Sequence, residues 1–147
     1  MLTLLRRLLT TTPDPAILLI RLSVGTVFLS EGMQKFLFPD KLGAGRFTTI
    51  GLPAPEFLGP FVGTVELTCG LLVLLGLLTR LASGPLVIIM LVAIASTKTA
   101  LLADKGFWGM LHDSRTDWAM LLGSLFLLVR GGGRWSMDAH LQHADHA

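Results

Sequence analysis

The sequence predicts an all-α integral membrane protein, an antiparallel bundle of four membrane-spanning helices with both termini on the same side. Composition is the first indication, because 52% of the 147 residues are hydrophobic and only 15% are charged, whereas soluble domains carry about 25% charged residues. The second is that apolar stretches recur at lengths near the roughly 20 residues that a membrane span requires. The chain has room for a single membrane domain, residues 1–147, and little outside the membrane.

The first predicted span opens with Asp14 and Pro15, a capping residue followed by a first-turn proline. The third opens with a similar signal, Ser83-Gly84-Pro85, and the fourth ends at three consecutive glycines. The fourth is also the shortest. The predicted spans are residues 15–38, 55–78, 83–103 and 116–130.

The connections between these spans differ in length and character. Residues 39–54 are too rich in glycine and proline to form a continuous helix. Residues 78–81 predict a tight turn, so the second and third spans should be antiparallel neighbours. Residues 104–115 are predicted to be a polar loop, in which Phe107 and Trp108 suit a membrane interface.

The distribution of arginines predicts which side the termini occupy. An even number of spans places both termini together, and five arginines fall on that side. If Lys35 and Arg115 lie within the bundle, only three cations fall on the other side: Lys41, Arg46 and Lys105. The termini are therefore expected in the cytoplasm and the protein in the inner membrane. The five arginines are Arg6, Arg7, Arg80, Arg130 and Arg134.

Several ionisable side chains lie within the predicted spans, where each costs about 2.5–3.5 kcal/mol or more to insert. Such residues are functional candidates. By depth, six of them converge on the outer half of the bundle, while Arg21 lies toward the cytoplasmic half. The six are Glu31, Lys35, Glu66, Lys98, Arg115 and Asp117.

Helical spacing predicts that two of the spans present a shared face. In the first span the residues advance by three or four positions at a time: Arg21, Gly25, Phe28, Gly32 and Lys35. The second span does the same: Gly59, Gly63, Glu66 and Gly70. Small residues allow membrane helices to approach closely, so Glu66 is expected to face protein rather than lipid.

Two interpretations of these charges remain open. Buried ion pairs can simply fix the register of the helices, and Glu66 with Lys98 is one such candidate pair. Alternatively, the charges form a ligand or proton site in which Glu66 accepts a proton and Lys98, Lys35 and Arg115 bind as cations. In either case we expect Glu66 to lie within ion-pair reach of at least one of these three cations.

Other kinds of chemistry lack their sequence signals. Cys69 is the only cysteine, so no disulfide forms within the chain and no thiol-relay pair exists. No metal site, dinucleotide motif or phosphate loop is predicted. The basic residues are scattered, which argues against nucleic-acid binding.

Four motifs together resemble the DoxX family of DoxX/DoxD-like membrane proteins. The match covers roughly residues 17–139, and it depends on the order and spacing of the motifs more than on any one of them. The motifs are Arg21-Leu22 with Gly25 and Glu31–Phe36, then Gly51–Pro55, then Glu66–Arg80, and finally Gly131–Asp138 with its Gly-rich, Ser-x-Asp pattern.

The resemblance implies a four-span inner-membrane protein associated with redox chemistry. Relatives include a small subunit linked to quinol oxidation and thiosulfate:quinone oxidoreduction, and a membrane partner of thiol- and superoxide-detoxifying proteins. The family supplies no agreed set of catalytic residues.

We therefore expect an inner-membrane subunit of a quinone-linked redox system, with a polar site in the outer half of the bundle. It has no covalent cofactor or redox centre of its own, so a bound quinone and protein subunits or further copies of the chain are the expected partners within the lipid bilayer. The alternatives are a non-catalytic structural subunit of a larger respiratory or photosynthetic membrane complex, and an oligomeric transporter of protons or small solutes.

Overall fold

The computed structural model describes residues 10–144, and this part of the chain is all helical. Three of its helices, α1, α4 and α5, are long and apolar enough to cross a membrane. Arg6 and Arg7, which the topology prediction uses, lie outside the described residues. The helices are α1 (Ile17–Leu37), α2 (Pro39–Leu42), α3 (Ala44–Thr49), α4 (Pro55–Leu75), α5 (Thr79–Arg130) and α6 (Met137–Ala144).

Helices α1 and α4 approach so closely that their backbones touch. A methyl group added at Gly32 would lie 2.8 Å from the carbonyl oxygen of Gly63, and one added at Gly70 would lie 2.9 Å from the backbone nitrogen of Leu29. The glycines of both predicted stripes are buried, as are Arg21 and Glu66. The predicted shared face is therefore confirmed, and the glycines bring Glu66 against α1 rather than toward lipid.

Helix α5 is interrupted at Gly106, where φ is +68° and ψ is −179°. This conformation is accessible in practice only to glycine. The prediction of a polar loop over residues 104–115 is therefore wrong, because the segment is helical on both sides of this single residue. Its polar side chains are mostly exposed on the helix surface, so they do not require irregular backbone.

The chain reverses direction at Gly106, so the two halves of α5 lie side by side. The contacts between them pair residues that are progressively closer in sequence, as an antiparallel hairpin requires. They are Arg80 with the carbonyl of Val129 at 2.7 Å, Lys98 with Asp117 at 2.5 Å, and Lys105 with Asp113 at 2.7 Å.

The turn between α4 and α5 lies slightly earlier than the sequence indicates. Gly76 and Leu78 both have positive φ, +67° and +49°, and α5 begins at Thr79. Ser83 is therefore inside the helix, where its hydroxyl donates to the carbonyl of Thr79 at 2.7 Å instead of capping a helix start. Pro85 also lies inside α5.

The segment between α1 and α4 folds back over the start of α4. It contains the short helices α2 and α3, in agreement with the prediction that it is not one continuous helix. Phe47 on α3 is buried, and a methyl group at Gly59 of α4 would lie 2.7 Å from the backbone nitrogen of Ala44. The glycine at position 59 thus allows this segment to pack on α4.

Candidate functional site

A cavity of about 580 Å³ lies among α1, α3, α4 and both halves of α5. Most of its wall is apolar, including Phe28, Phe47, Phe61, Val62, Ile88 and Met120. Charged side chains interrupt this wall at five positions: Glu31, Lys35, Arg46, Glu66 and Asp117. Such a combination of apolar walls and a few polar groups is typical of small-molecule sites.

Glu66 and Lys35 form a buried ion pair on the wall of the cavity. The Lys35 Nζ atom lies 2.6 Å from a carboxylate oxygen of Glu66, and the two side chains are only 10% and 5% exposed. Glu31, one turn before Lys35 on α1, lies 3.9 Å from the same ammonium and is half exposed. The expectation that Glu66 reaches a cation is confirmed, and its partner is Lys35.

Lys98 pairs with Asp117 instead of Glu66. The distance is 2.5 Å, and the side chains are 13% and 28% exposed. The candidate register pair of Glu66 with Lys98 is therefore wrong, because the reversal at Gly106 places Asp117 beside Lys98. Asp117 lines the cavity, whereas Lys98 does not.

Arg115 lies outside the cavity. Its guanidinium is 3.0 and 3.2 Å from the two ring nitrogens of His112, one turn earlier on the same helix, and both residues are exposed. Residues two positions apart on a helix do not face the same way. Arg115 therefore points away from the cavity, whereas Asp117 points into it. Depth in the predicted spans is the same for both residues, so it could not separate them by helix face.

Arg46 lines the cavity, although it was not among the six charged residues that depth in the predicted spans singled out. Within residues 10–144, no ion pair or side-chain hydrogen bond engages its guanidinium. Leu42 and Ile50, four residues before and after it, also line the cavity. Leu42 ends α2 and Ile50 follows α3, so the three residues do not lie on one helix, and no periodic pattern in the sequence indicated that Arg46 faces the cavity.

Arg21 makes a separate structural site at the opposite end of α1. It is buried, and its guanidinium donates only to backbone carbonyl oxygens. Two of these belong to the last turn of α4, whose carbonyls lack helical partners, and two to the segment after α5. The acceptors are Val73 at 2.9 Å, Leu74 at 2.5 Å, Gly132 at 3.2 Å and Trp135 at 2.6 Å.

Asp138 completes this site by capping the start of α5. Its carboxylate accepts hydrogen bonds from the backbone N–H groups of Leu78 at 2.7 Å and Thr79 at 3.0 Å. Ser136 caps α6, because its hydroxyl accepts from the N–H of Ala139 at 3.1 Å. We call Arg21 together with Gly131–Asp138 the C-terminal clip, and its contacts give the Gly-rich, Ser-x-Asp ending a structural role.

Comparison with known proteins gives a consistent result. The family model described as DoxX matches residues 16–99, more than half of the chain. The chain is also 55% identical over 141 residues to a protein of Mycobacterium tuberculosis named Uncharacterized membrane protein Rv3486, an alignment that covers 92% of this chain and 86% of that protein. No solved structure matches the chain significantly. The chain is thus a membrane protein that belongs to the DoxX family.

Proposed function

We propose that this protein is a membrane subunit of a quinone-linked redox system, and that its cavity binds the quinone headgroup. The observation that carries the proposal is the buried pair of Lys35 and Glu66 on the wall of an otherwise apolar cavity. A buried ion pair is expensive to maintain in a membrane. Its position against an open space, rather than within packed side chains, favours a role with a ligand.

The cavity suits the size and polarity of a quinone ring. Its volume of about 580 Å³ lies within the roughly 300–1,000 Å³ of small-molecule sites. A quinone has an apolar ring and two carbonyl oxygens that accept hydrogen bonds. Lys35 would donate to one carbonyl and Arg46 to the other, while the phenylalanines of the wall contact the ring.

Glu66 would take up a proton when a quinol is oxidised. Oxidation of a quinol to a quinone releases two electrons and two protons, and the electrons pass to a redox centre of a partner subunit. Glu66 accepts one proton from a quinol hydroxyl, and Glu31, the other acidic side chain beside Lys35, accepts the second. Carboxylates in hydrogen-bond reach of the reacting hydroxyl are suitable general bases.

The proposed arrangement in the membrane has four spans. The segments on either side of Gly106 would be about 40 and 36 Å long at the rise of an α-helix, so each is long enough to cross. Arg80, Arg130 and Arg134 then lie at one end with the termini, which we place in the cytoplasm of the cell. The cavity falls in the outer half of the bundle.

The second candidate function is that of a non-catalytic structural subunit of a larger membrane complex, which we call the accessory-subunit hypothesis. One observation favours it. Lys35 with Glu66 and Lys98 with Asp117 are each complete pairs. They join α1 to α4 and one half of α5 to the other, which is what fixing helix register requires. Under this reading the charges need no ligand.

Binding of decylubiquinone to the full chain in nanodiscs tests the leading proposal. We expect saturable binding that Glu66→Gln weakens at least tenfold, because the amide no longer holds Lys35 in place as a donor. Glu56→Gln is the matched control, since Glu56 lies exposed in the first turn of the same helix and does not line the cavity. Equal affinities for all three proteins, or no saturable binding to any, would refute the proposal.

A further inference from the structure

The cavity has an open side between α4 and α5. Three of its large apolar lining side chains are at the same time about half exposed or more. Ile88 is 62% exposed, Phe61 is 52% exposed and Val92 is 49% exposed. Phe61 belongs to α4, and the other two belong to the first half of α5. These three residues define a portal between the two helices.

The portal lies at a depth that corresponds to the membrane interior. Along α4, Phe61 is about 22 Å from the turn at Gly76, and along α5, Val92 is about 21 Å from the turn at Leu78. The two residues are therefore at the same level. Because the hydrocarbon core of a bilayer is about 30 Å thick, a portal at this level opens onto lipid if the turn lies at the membrane surface.

Glu66 of the ion pair lies at the level of the portal residue that is nearest to the turn. Glu66 is about 15 Å from the turn along α4, the same level as Ile88 on α5. The end of the cavity away from the turn is covered by the segment of α2 and α3, where Leu42 and Phe47 line the wall and Phe47 is 8% exposed. At the portal, by contrast, the lining side chains are about half exposed or more.

From this geometry we infer that the ligand enters sideways from the hydrocarbon of the membrane, through the portal of Phe61, Ile88 and Val92. The site then selects an amphiphile dissolved in the bilayer, with a polar head that reaches Lys35 and Glu66 and an apolar body that extends through the portal into lipid. This inference rests on the proposed function for the identity of the head. It adds the route and the requirement for an apolar body.

Site-directed spin labelling of the full chain in nanodiscs tests the route. Cys69 is the only cysteine, so a Cys69→Ala background allows single labels at Val92→Cys and, as a control, at Leu91→Cys. Leu91 is 52% exposed on the same helix but does not line the cavity. The measurements are the collision rates of each label with oxygen, which dissolves in lipid, and with a water-soluble nickel chelate, before and after addition of decylubiquinone.

We expect both labels to collide with oxygen and not with nickel. Addition of decylubiquinone should lower the oxygen collision rate at position 92 at least twofold and leave position 91 unchanged. Nickel collisions at position 92 would show an aqueous entrance, and protection from both reagents without ligand would show that another chain covers the portal. Either result overturns the inference.

The two proposals fail in different ways. If decylubiquinone binds saturably in nanodiscs but leaves the label at Val92→Cys unchanged, the ligand uses another route and only the lateral entrance is rejected. If position 92 collides with oxygen alone but no quinone binds, the proposed function is rejected, and with it the inference that a quinone passes the portal.

Discussion

At the scale of single residues, Lys35 and Glu66 decide how the cavity is interpreted. Their spacing along α1 and α4 predicted that each faces protein, and the structure confirms it. The sequence could not identify the partner of Glu66, because three cations were available at similar depth. Lys35 is the partner because α1 crosses α4 at the glycine contacts. Lys98 is not, because the reversal at Gly106 brings Asp117 beside it and the two form an ion pair.

Removing one member of this pair should destabilise the protein more than removing both. Lys35→Met leaves the Glu66 carboxylate buried without a partner, and we expect a loss of about 3–5 kcal/mol in the free energy of unfolding. The double variant Lys35→Met with Glu66→Gln should recover most of that loss. Lys105→Met is the control and should change stability little, because Lys105 and Asp113 are both exposed.

Unfolding in detergent, followed by circular dichroism, measures these differences. If Lys35→Met is as stable as the Lys105→Met control, the stability of the protein does not depend on the ion pair of Lys35 and Glu66.

At the scale of the helices, sequence patterns succeeded where contacts are local or periodic. The apolar runs, the glycine stripes and the glycine stop after Arg130 are all visible in the sequence. The C-terminal clip was not predicted, because Asp138 caps a helix that begins about sixty residues earlier and no local pattern records such a contact. The segment 104–115 was misread because polar composition was taken as irregular backbone.

The clip makes a prediction about Asp138. Replacing it with alanine leaves the N–H groups of Leu78 and Thr79 without their acceptor, so Asp138→Ala should cost about 1–2 kcal/mol, as the loss of a helix cap does. Its neighbour Met137 is exposed, and Met137→Ala should be close to neutral. Differential scanning fluorimetry of the two variants compares them, and equal melting temperatures would argue against the clip.

Two glycines of α5 have space around them but differ in backbone conformation, which gives a matched pair of substitutions. A methyl group added at either Gly106 or Gly84 meets no atom within 4 Å, but only Gly106 has positive φ. Gly106→Ala should therefore destabilise the protein by about 1–3 kcal/mol through backbone strain, whereas Gly84→Ala should be neutral or stabilising by about 0.5–1 kcal/mol.

Chemical denaturation of the two variants under the same conditions is the measurement. If the Gly106→Ala protein is as stable as the Gly84→Ala protein, the positive φ at Gly106 is not required for the fold of α5.

At the scale of the whole molecule, the proposed orientation in the membrane rests on charge. Arg80, Arg130 and Arg134 lie near one end of the described structure, and under the proposal this arginine-rich end faces the cytoplasm, as the positive-inside rule leads us to expect. Reporter fusions after Ala147 and within residues 41–46 should therefore give a cytoplasmic and a periplasmic signal, respectively. A periplasmic signal after Ala147, or the same side for both fusions, would contradict the four-span arrangement.

The central claim is that the cavity is a ligand site and that its ion pair is more than a scaffold. The double variant Lys35→Met with Glu66→Gln tests it, because matched replacement of a buried pair is often neutral or stabilising for the fold. The control is Lys105→Met with Asp113→Asn, a pair at the break in α5 that does not line the cavity. We predict that the cavity double variant remains close to wild type in stability in detergent and that its affinity for decylubiquinone falls at least tenfold, while the control retains both stability and binding. A stable cavity variant that binds decylubiquinone as tightly as wild type would contradict a ligand site at the ion pair and would favour the accessory-subunit hypothesis.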